Sequence, residues 1–208
     1  MAATNNELVD ELVRGGYLKN PALIEAFREV DRADFVPPEF KDEAYVNAPL
    51  PIGLDQTISQ PLTVAFMLEL LMPQPGEKIL DVGTGSGWQI TLLAHAVGEK
   101  GKVIGIERIE ALKRTAGRNI NKYKDLRSRI KIFLNDGSKG YEEEAPYDKI
   151  IAAAAAEEIP PAWKEQLKTG GIIVAPVGAS VISMNKTAAD QFETREYYGF
   201  SFVPLISD

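Results

Sequence analysis

The sequence predicts an α/β fold, a doubly wound and mostly parallel sheet with an N-terminal helical segment and C-terminal antiparallel edge strands. Three observations carry this. The apolar run Ile79-Leu80-Asp81-Val82 opens directly into Gly83-Thr84-Gly85-Ser86-Gly87 and then into a helical pattern from Trp88, the junction at which such a sheet presents backbone to a nucleotide. Beyond that junction, strand-length apolar runs alternate with helical periodicity, which is the βαβ pattern of a Rossmann-like sheet. The last part, Phe192 to Leu205, holds β-forming aromatics and valine, with Pro204 tolerable only near an edge or a strand end.

Taken in order, Glu7 to Arg14 reads as a helix, and Asn20 caps a second one that has Pro21 in its first turn and runs through Glu29. Residues Asn47 to Pro61 are too rich in turn formers to be regular, and they lead into an apolar helix from Leu62 to Leu71. After the glycine turn come a strand at Gly101 to Glu107, a helix at Ile109 to Lys124 and strands at Ile130 to Leu134 and Tyr147 to Ala155. A short proline-started helix, Pro161 to Leu167, precedes a buried strand at Gly171 to Val177. Val181 to Asp190 matches no placeable pattern. The expected organisation is one domain: helices and a substrate loop over 1–76, a cofactor-binding core over 77–178 and edge strands over 179–208.

Composition removes several classes of function. The 208 residues hold no cysteine and one histidine, so a disulfide framework, a thiolate zinc site, a cysteine nucleophile and a Ser-His-Asp triad all lack their parts, and no metal is expected. The histidine, His95, sits in an apolar helical run and reads as structural. A net charge of -7 argues against binding nucleic acid through its phosphates. Lys113, Arg114, Arg118, Lys122 and Lys124 fit a solvated helix face better. The first residues lack the pattern of a signal peptide, and no apolar run approaches the roughly 20 residues of a bilayer crossing, so a cytoplasmic protein without a membrane partner is expected.

The chemistry is read from the ends of the strands. The spacing Gly-x-Gly-x-Gly followed by Trp88 departs from the Gly-x-Gly-x-x-Gly of a pyrophosphate turn, which wants a small residue at its third position. Asp81 at the strand end would repel a diphosphate but suits S-adenosylmethionine, which carries a sulfonium and an ammonium and no phosphate. A dinucleotide remains the alternative. Gly83, Thr84, Gly85, Ser86 and Gly87 would supply backbone to the ligand. Glu107 ends its strand 20 residues after Gly87, the separation at which a carboxylate accepts hydrogen bonds from ribose hydroxyls. Asp136, with Gly137, could bind the adenine amino group, although Asp-Gly is also an ordinary turn. In the loop before the Leu62 helix, Ser59 or Gln60 either caps that helix or belongs to a substrate site.

The chain resembles the protein-L-isoaspartate (D-aspartate) O-methyltransferases over nearly its whole length. The resemblance rests on Arg32-Ala33-Asp34-Phe35-Val36-Pro37, Tyr45 with Pro49-Leu50-Pro51-Ile52-Gly53, Gln56-Thr57-Ile58-Ser59-Gln60-Pro61 and the glycine turn. It continues through Asp136-Gly137, Gly140-Tyr141, Ala145-Pro146-Tyr147-Asp148, Gln166-Leu167-Lys168 with Gly170-Gly171, and Phe202-Val203-Pro204-Leu205. It implies a Rossmann-like methyltransferase sheet and methyl transfer from S-adenosylmethionine to the free carboxylate of isoaspartyl (and D-aspartyl) residues in damaged proteins, with S-adenosylhomocysteine as product. The family's active-site serine falls on Ser59. Gln56 and Thr57 belong to the same loop, which serves substrate and cofactor, and the substrate main chain is expected along Val203 to Leu205. Such an acceptor is ionised at neutral pH, so no general base is required. The expected partners are isoaspartyl proteins and peptides, acted on by a monomer. The alternatives are a methyltransferase for another acceptor, which would usually need a base, and a non-catalytic S-adenosylmethionine-binding homologue.

Overall fold

The computed structural model describes residues 2–207. Two N-terminal helices, α1 (Asn5–Arg14) and α2 (Pro21–Glu29), lead through two 3-10 turns to a hairpin of β1 (Leu50–Gly53) and β2 (Gln56–Ile58), then to α3 (Pro61–Leu71). The parallel core follows as β3 (Lys78–Val82), α4 (Trp88–Ala96), β4 (Lys102–Glu107), α5 (Glu110–Ile120), α6 (Lys124–Arg127), β5 (Ile130–Leu134) and β6 (Tyr147–Ala152). It ends with α7 (Pro161–Gln166), β7 (Leu167–Val177), β8 (Ser180–Ala188) and β9 (Gln191–Tyr198).

These strands form a seven-stranded sheet ordered β5-β4-β3-β6-β7-β8-β9, parallel as far as β7 and antiparallel beyond it. The chain therefore reverses its direction of winding between β3 and β6, and the crevice beyond the carboxyl ends of those strands is where ligands bind in this architecture. The strand period of two sorts the core. Ile79 and Val103 face the layer made with α1 to α6, whereas Leu80, Ile104 and Ile106 face the opposite layer with Trp163 of α7. Helices cover both faces, most of them on one.

The local expectations hold where their physical causes are local. Asn20 caps α2, its side chain accepting from the Ala22 N–H at 2.9 Å. The expected 109–124 helix ends at Ile120 and resumes as the separate α6. The 47–61 segment is not irregular: it contains the β1–β2 hairpin, whose turn takes three successive residues, Gly53, Leu54 and Asp55, to positive φ. Val181 to Asp190 is β8 and the first part of its turn, and the edge strand expected over Phe192 to Leu205 stops at Tyr198. From there the chain turns back so that Val203 to Leu205 bridges Ala155. The strand expected to reach Ala155 ends at Ala152.

One close approach fixes how tightly the layers meet. A Cβ on Gly105, in the middle of β4, would stand 2.5 Å from Thr84 Oγ1 and 2.7 Å from Ile90 Cδ1, so any larger residue must push those side chains aside where the strand passes beneath the glycine turn. Gly105→Ala is expected to lower stability by about 1–3 kcal/mol through overpacking, read as a drop in the urea midpoint at unchanged slope.

Candidate active site

The site is built from the turn that follows β3. Gly87 has φ +93°, and a Cβ there would press to 3.3 Å on Ala116 of α5, so glycine both permits the backbone and lets the two helices close. The Gly83 and Thr84 N–H groups donate to Ile106 O at 2.9 and 3.1 Å, tying the turn to β4. Glu107 completes the tie: its carboxylate accepts from the Gly85 N–H at 2.8 Å and the Ile109 N–H at 2.9 Å. Charge-assisted bonds of this kind hold the carboxylate still and leave its remaining lone pairs facing the crevice.

That crevice is a cavity of about 360 Å³. Its polar wall is Glu107, Arg108 and the backbone of Gly83 and Gly85, and Ile106, Ile109 and Leu112 form an apolar side. The β1–β2 hairpin covers it with Ile52, Gln56 and Thr57, and the C-terminal segment closes it with Val203 to Ile206. Ile52 Cδ1 lies 3.5 Å from where a Gly85 Cβ would be, so the hairpin rests directly on the glycine turn. A second cavity of about 290 Å³ lies next to it, sharing Thr57, Ala153 and Val203 and lined further by Pro49, Ser59, Gln60, Thr63, Ser201 and Phe202. Among the described residues no charged side chain lines it. A gap of about 30 Å³ between Ser59, Thr57 and the glycine turn joins the two.

The structure brings together Gln56, Thr57, Gly83, Gly85, Glu107, Gly137 and Val203 around the larger cavity. Ser59 faces the second cavity and the joining gap, and Thr84 and Ser86 line only the gap. Gly87 acts in packing on α5. Asp136 lines neither cavity: its Oδ1 accepts from the Ser138 N–H and hydroxyl at 2.9 and 2.7 Å, capping a 3-10 turn, while its Oδ2 pairs with Lys139 at 3.3 Å. His95 lies in the last turn of α4, away from both cavities. Asp81 is fully buried beneath the turn, with Oδ1 accepting from Gln89 Nε2 at 2.7 Å and Oδ2 lacking a hydrogen-bond partner among the described residues.

Ser59 has a second finding attached to it. The N-terminus of α3 is capped from 15 residues upstream, where Asn47 Oδ1 accepts from the Leu62 N–H at 3.0 Å. Gln60 supports that cap by donating to Asn47 O at 3.0 Å. Among the described residues the Ser59 hydroxyl makes no hydrogen bond, so Ser59 does not cap α3, and the residue lines the second cavity and the gap. Sequence reasoning missed Ile52, Ala153, Ala154, Arg108 and the whole apolar side. Only the small residues after β6 carried a usable signal, since a strand end at the switch point with no bulk is where a ligand fits.

The described residues contain no helix long and apolar enough to cross a membrane. A doubly wound sheet with Asp81 at a strand end beneath a Gly-x-Gly-x-Gly turn and Glu107 at the end of the next strand defines a Rossmann-like class I methyltransferase architecture. Within that class, the family model for protein-L-isoaspartate(D-aspartate) O-methyltransferase matches residues 3–208, and the chain belongs to this family. It is 43% identical over 205 residues to the protein-L-isoaspartate O-methyltransferase of Methanopyrus kandleri, covering 97% of this chain and 90% of that one. It is 48% identical over 184 residues to protein-L-isoaspartate O-methyltransferase 2 of Archaeoglobus fulgidus, covering 87% and 83%. A crystal structure of a Plasmodium falciparum protein of the same description, in complex with S-adenosyl-L-homocysteine, superposes with a TM-score of 0.89 at 23% identity over the whole of both chains.

Burial pushes the Asp81 carboxyl up to about 6 from 3.8, with the Gln89 and Thr84 side chains pulling it down and the charge of Glu107 adding to the rise. Because the folded value lies above the unfolded one, the stability this group allows is complete below about pH 3.8 and is lost as pH rises through about 6. Asp81→Asn keeps the acceptor for Gln89 and removes the charge. It is expected to match the parent protein near pH 4 and to exceed it at pH 7.5 by as much as about 3 kcal/mol in the ligand-free state, measured by denaturant unfolding across that range.

Proposed function

We propose that this chain transfers a methyl group from S-adenosylmethionine to the free carboxylate of L-isoaspartyl and D-aspartyl residues in damaged proteins and peptides, releasing S-adenosylhomocysteine and initiating repair. The observation that carries the reading is the unengaged Ser59 hydroxyl, set in an uncharged cavity that opens onto the crevice of the glycine turn.

The larger cavity fits the methyl donor on its own chemistry. Two carboxylates, Glu107 on the wall and Asp81 buried beneath the turn with an unpartnered oxygen, suit a cation carrying vicinal hydroxyls and would repel a diphosphate. Glu107 is the residue to accept from the ribose hydroxyls, and the Ile106, Ile109 and Leu112 side is the place for an adenine ring. When bound, the donor supplies a methyl group on a sulfonium, already electrophilic and with a neutral leaving group.

The residues of the chain then have positioning work. The Ser59 hydroxyl donates to one oxygen of the acceptor carboxylate and leaves the other free to attack. A bond stronger to the anion than to the transition state would slow transfer, which suits a single neutral hydroxyl better than a lysine or arginine. The acceptor carboxylate, with an ordinary pKa near 3.9, needs no base, in keeping with walls that carry none. Phe202, Val203 and Ala153 keep water from the acceptor. Val203 lines both cavities, yet its carbonyl already accepts from the Ala155 N–H at 2.8 Å and the Leu205 N–H donates to Ala155 O at 2.7 Å. The outward residue of that bridge is Pro204, which offers a substrate backbone a carbonyl and no N–H. The absence of cysteine supports a cytoplasmic setting.

Ser59→Ala is expected to lower turnover on an isoaspartyl peptide by roughly 10²-fold while the dissociation constant for S-adenosylhomocysteine stays within about two-fold. Base-labile methyl ester release, with the matching aspartyl peptide as the unreactive control, measures the first and calorimetry the second. Equal loss of both would refute the role.

A further inference from the structure

Arg32 stands in the first 3-10 turn after α2 and is wholly buried. Among the described residues no carboxylate pairs with it. Its partners are four backbone carbonyls: Nη1 donates to Ala44 O at 2.7 Å and Val46 O at 3.2 Å, and Nη2 donates to Ala48 O at 2.9 Å and Ser59 O at 3.2 Å. Nε has no hydrogen-bond partner, and the guanidinium carbon lies 5.5 Å from the centre of the Trp88 ring. Desolvation lowers its pKa only to about 10, so the group stays charged at neutral pH.

An unpaired buried cation is a costly way to fill a core, and an apolar side chain of similar volume would do that better. What the guanidinium can do is join groups that no other side chain could reach together, because its donors form a rigid planar fork. Of the groups it joins, Ser59 lines the second cavity and the gap, and Trp88 lines the gap. Ala48 precedes Pro49 on one side of the acceptor cavity, and Ser59 stands in the same cavity. Trp88 begins α4 directly after the glycine turn and lines the joining gap. Trp88 is itself held in the N-terminal layer, edge-on to Phe27 at 5.5 Å with its Nε1–H directed to Val30 O at 3.4 Å.

We propose that Arg32 is a positioning residue for methyl transfer: by clamping the Ser59 carbonyl to the Ala44–Ala48 strip and to Trp88, it sets the distance from the Ser59 hydroxyl to the cofactor turn. The proposal rests on the function given above and extends it to a side chain that touches neither ligand. Displacements of about 1 Å in such a constellation cost on the order of 10²-fold in rate.

The test is Arg32→Lys, which keeps the charge and loses the planar fork. Turnover on an isoaspartyl peptide is expected to fall by roughly 10- to 100-fold and the Michaelis constant for peptide to rise, while S-adenosylhomocysteine binds within about two-fold of the parent affinity. In the same protein, amide hydrogen exchange over Thr57 to Gln60 should quicken at least about ten-fold while the amides of β3 and β4 keep their protection. Unchanged turnover, a loss of cofactor affinity in step with turnover, or unchanged exchange over Thr57 to Gln60 would each overturn the proposal. Should the lysine variant fail to fold, Arg32→Gln, neutral and planar, takes its place under saturating S-adenosylhomocysteine, where exchange over Thr57 to Gln60 decides: quickening of at least about ten-fold supports the proposal and unchanged exchange overturns it. The exchange measurement needs no turnover. A parent protein that methylates no isoaspartyl peptide would therefore remove the functional reading, while exchange would still decide whether Arg32 holds the Ser59 loop.

Discussion

The Glu107 carboxylate bonds two backbone N–H groups that belong to different turns, Gly85 after β3 and Ile109 after β4, and the ligand side of the fold depends on that pair of bonds. Strands β3 and β4 are already in register through their ladder, but ladder hydrogen bonds stop at the strand ends, where a ligand must be met. A side chain that reaches across the ends extends the order of the sheet by one turn on each strand. It also fixes the rotamer of a carboxylate on the wall of the larger cavity, so little side-chain entropy would be left to lose on binding a ligand there. The positive φ of Gly85 and Gly87 and the bare Cα of Gly105 beneath Thr84 are the conditions under which the turn comes close enough for the bonds to form.

The two cavities are electrostatically unlike, and the difference fits what each would hold. The larger cavity has Glu107 on its wall, with Asp81 buried beneath the glycine turn, and the charge of Glu107 adds a little to the rise that burial causes in the Asp81 value. A cation in the crevice would lessen the repulsion between the two acids. The acceptor side has hydroxyls from Thr57, Ser59, Thr63 and Ser201 and no charge. In the proposed function, a carboxylate in such a cavity would exchange water for a few neutral donors and stay reactive, and its attraction would come from the sulfonium of the donor.

Much of this was legible in the sequence because its causes are local in the chain. Alternating apolar runs, Asn20 before Pro21, and glycines at fixed offsets each act within a few residues, and those elements fall where the pattern put them. Glu107 was readable for the same reason, since its distance from the glycine turn is fixed by one helix and one strand. What could not be read was set by groups far apart in sequence. Asn47 caps α3 across 15 residues, and no pattern around Ser59 shows that its hydroxyl is thereby released. Asp136 carries the spacing of an adenine ligand, yet its carboxylate is taken by Ser138 and Lys139, a competition that the turn reading of Asp-Gly had left open. The β1–β2 hairpin was hidden because its turn uses Leu54 and Asp55 at positive φ, where glycine or asparagine would have announced it. β8 alternates too weakly to be read alone and becomes a strand by pairing with β7 and β9.

The distribution of site residues along the chain follows from the same division. The cofactor side comes mainly from the middle of the sequence, where β3, β4 and β6 end. The acceptor side comes from elements outside the parallel core: the 44–60 segment before it and Ser201 to Val203 after it. A parallel sheet with its crossover helices can therefore stay constant in cofactor binding while acceptor selectivity changes by exchanging what is attached at either end. The C-terminal segment is held by its backbone bridge to Ala155, but the 44–60 segment pairs with no strand of the parallel core that would set its distance from the glycine turn. In this chain the connection runs through side chains, Trp88 reaching from the turn into the N-terminal layer and Arg32 from that layer to Ser59. A rigid planar group is the economical solution there, because it fixes several carbonyls in one plane where a flexible side chain would fix only one or two.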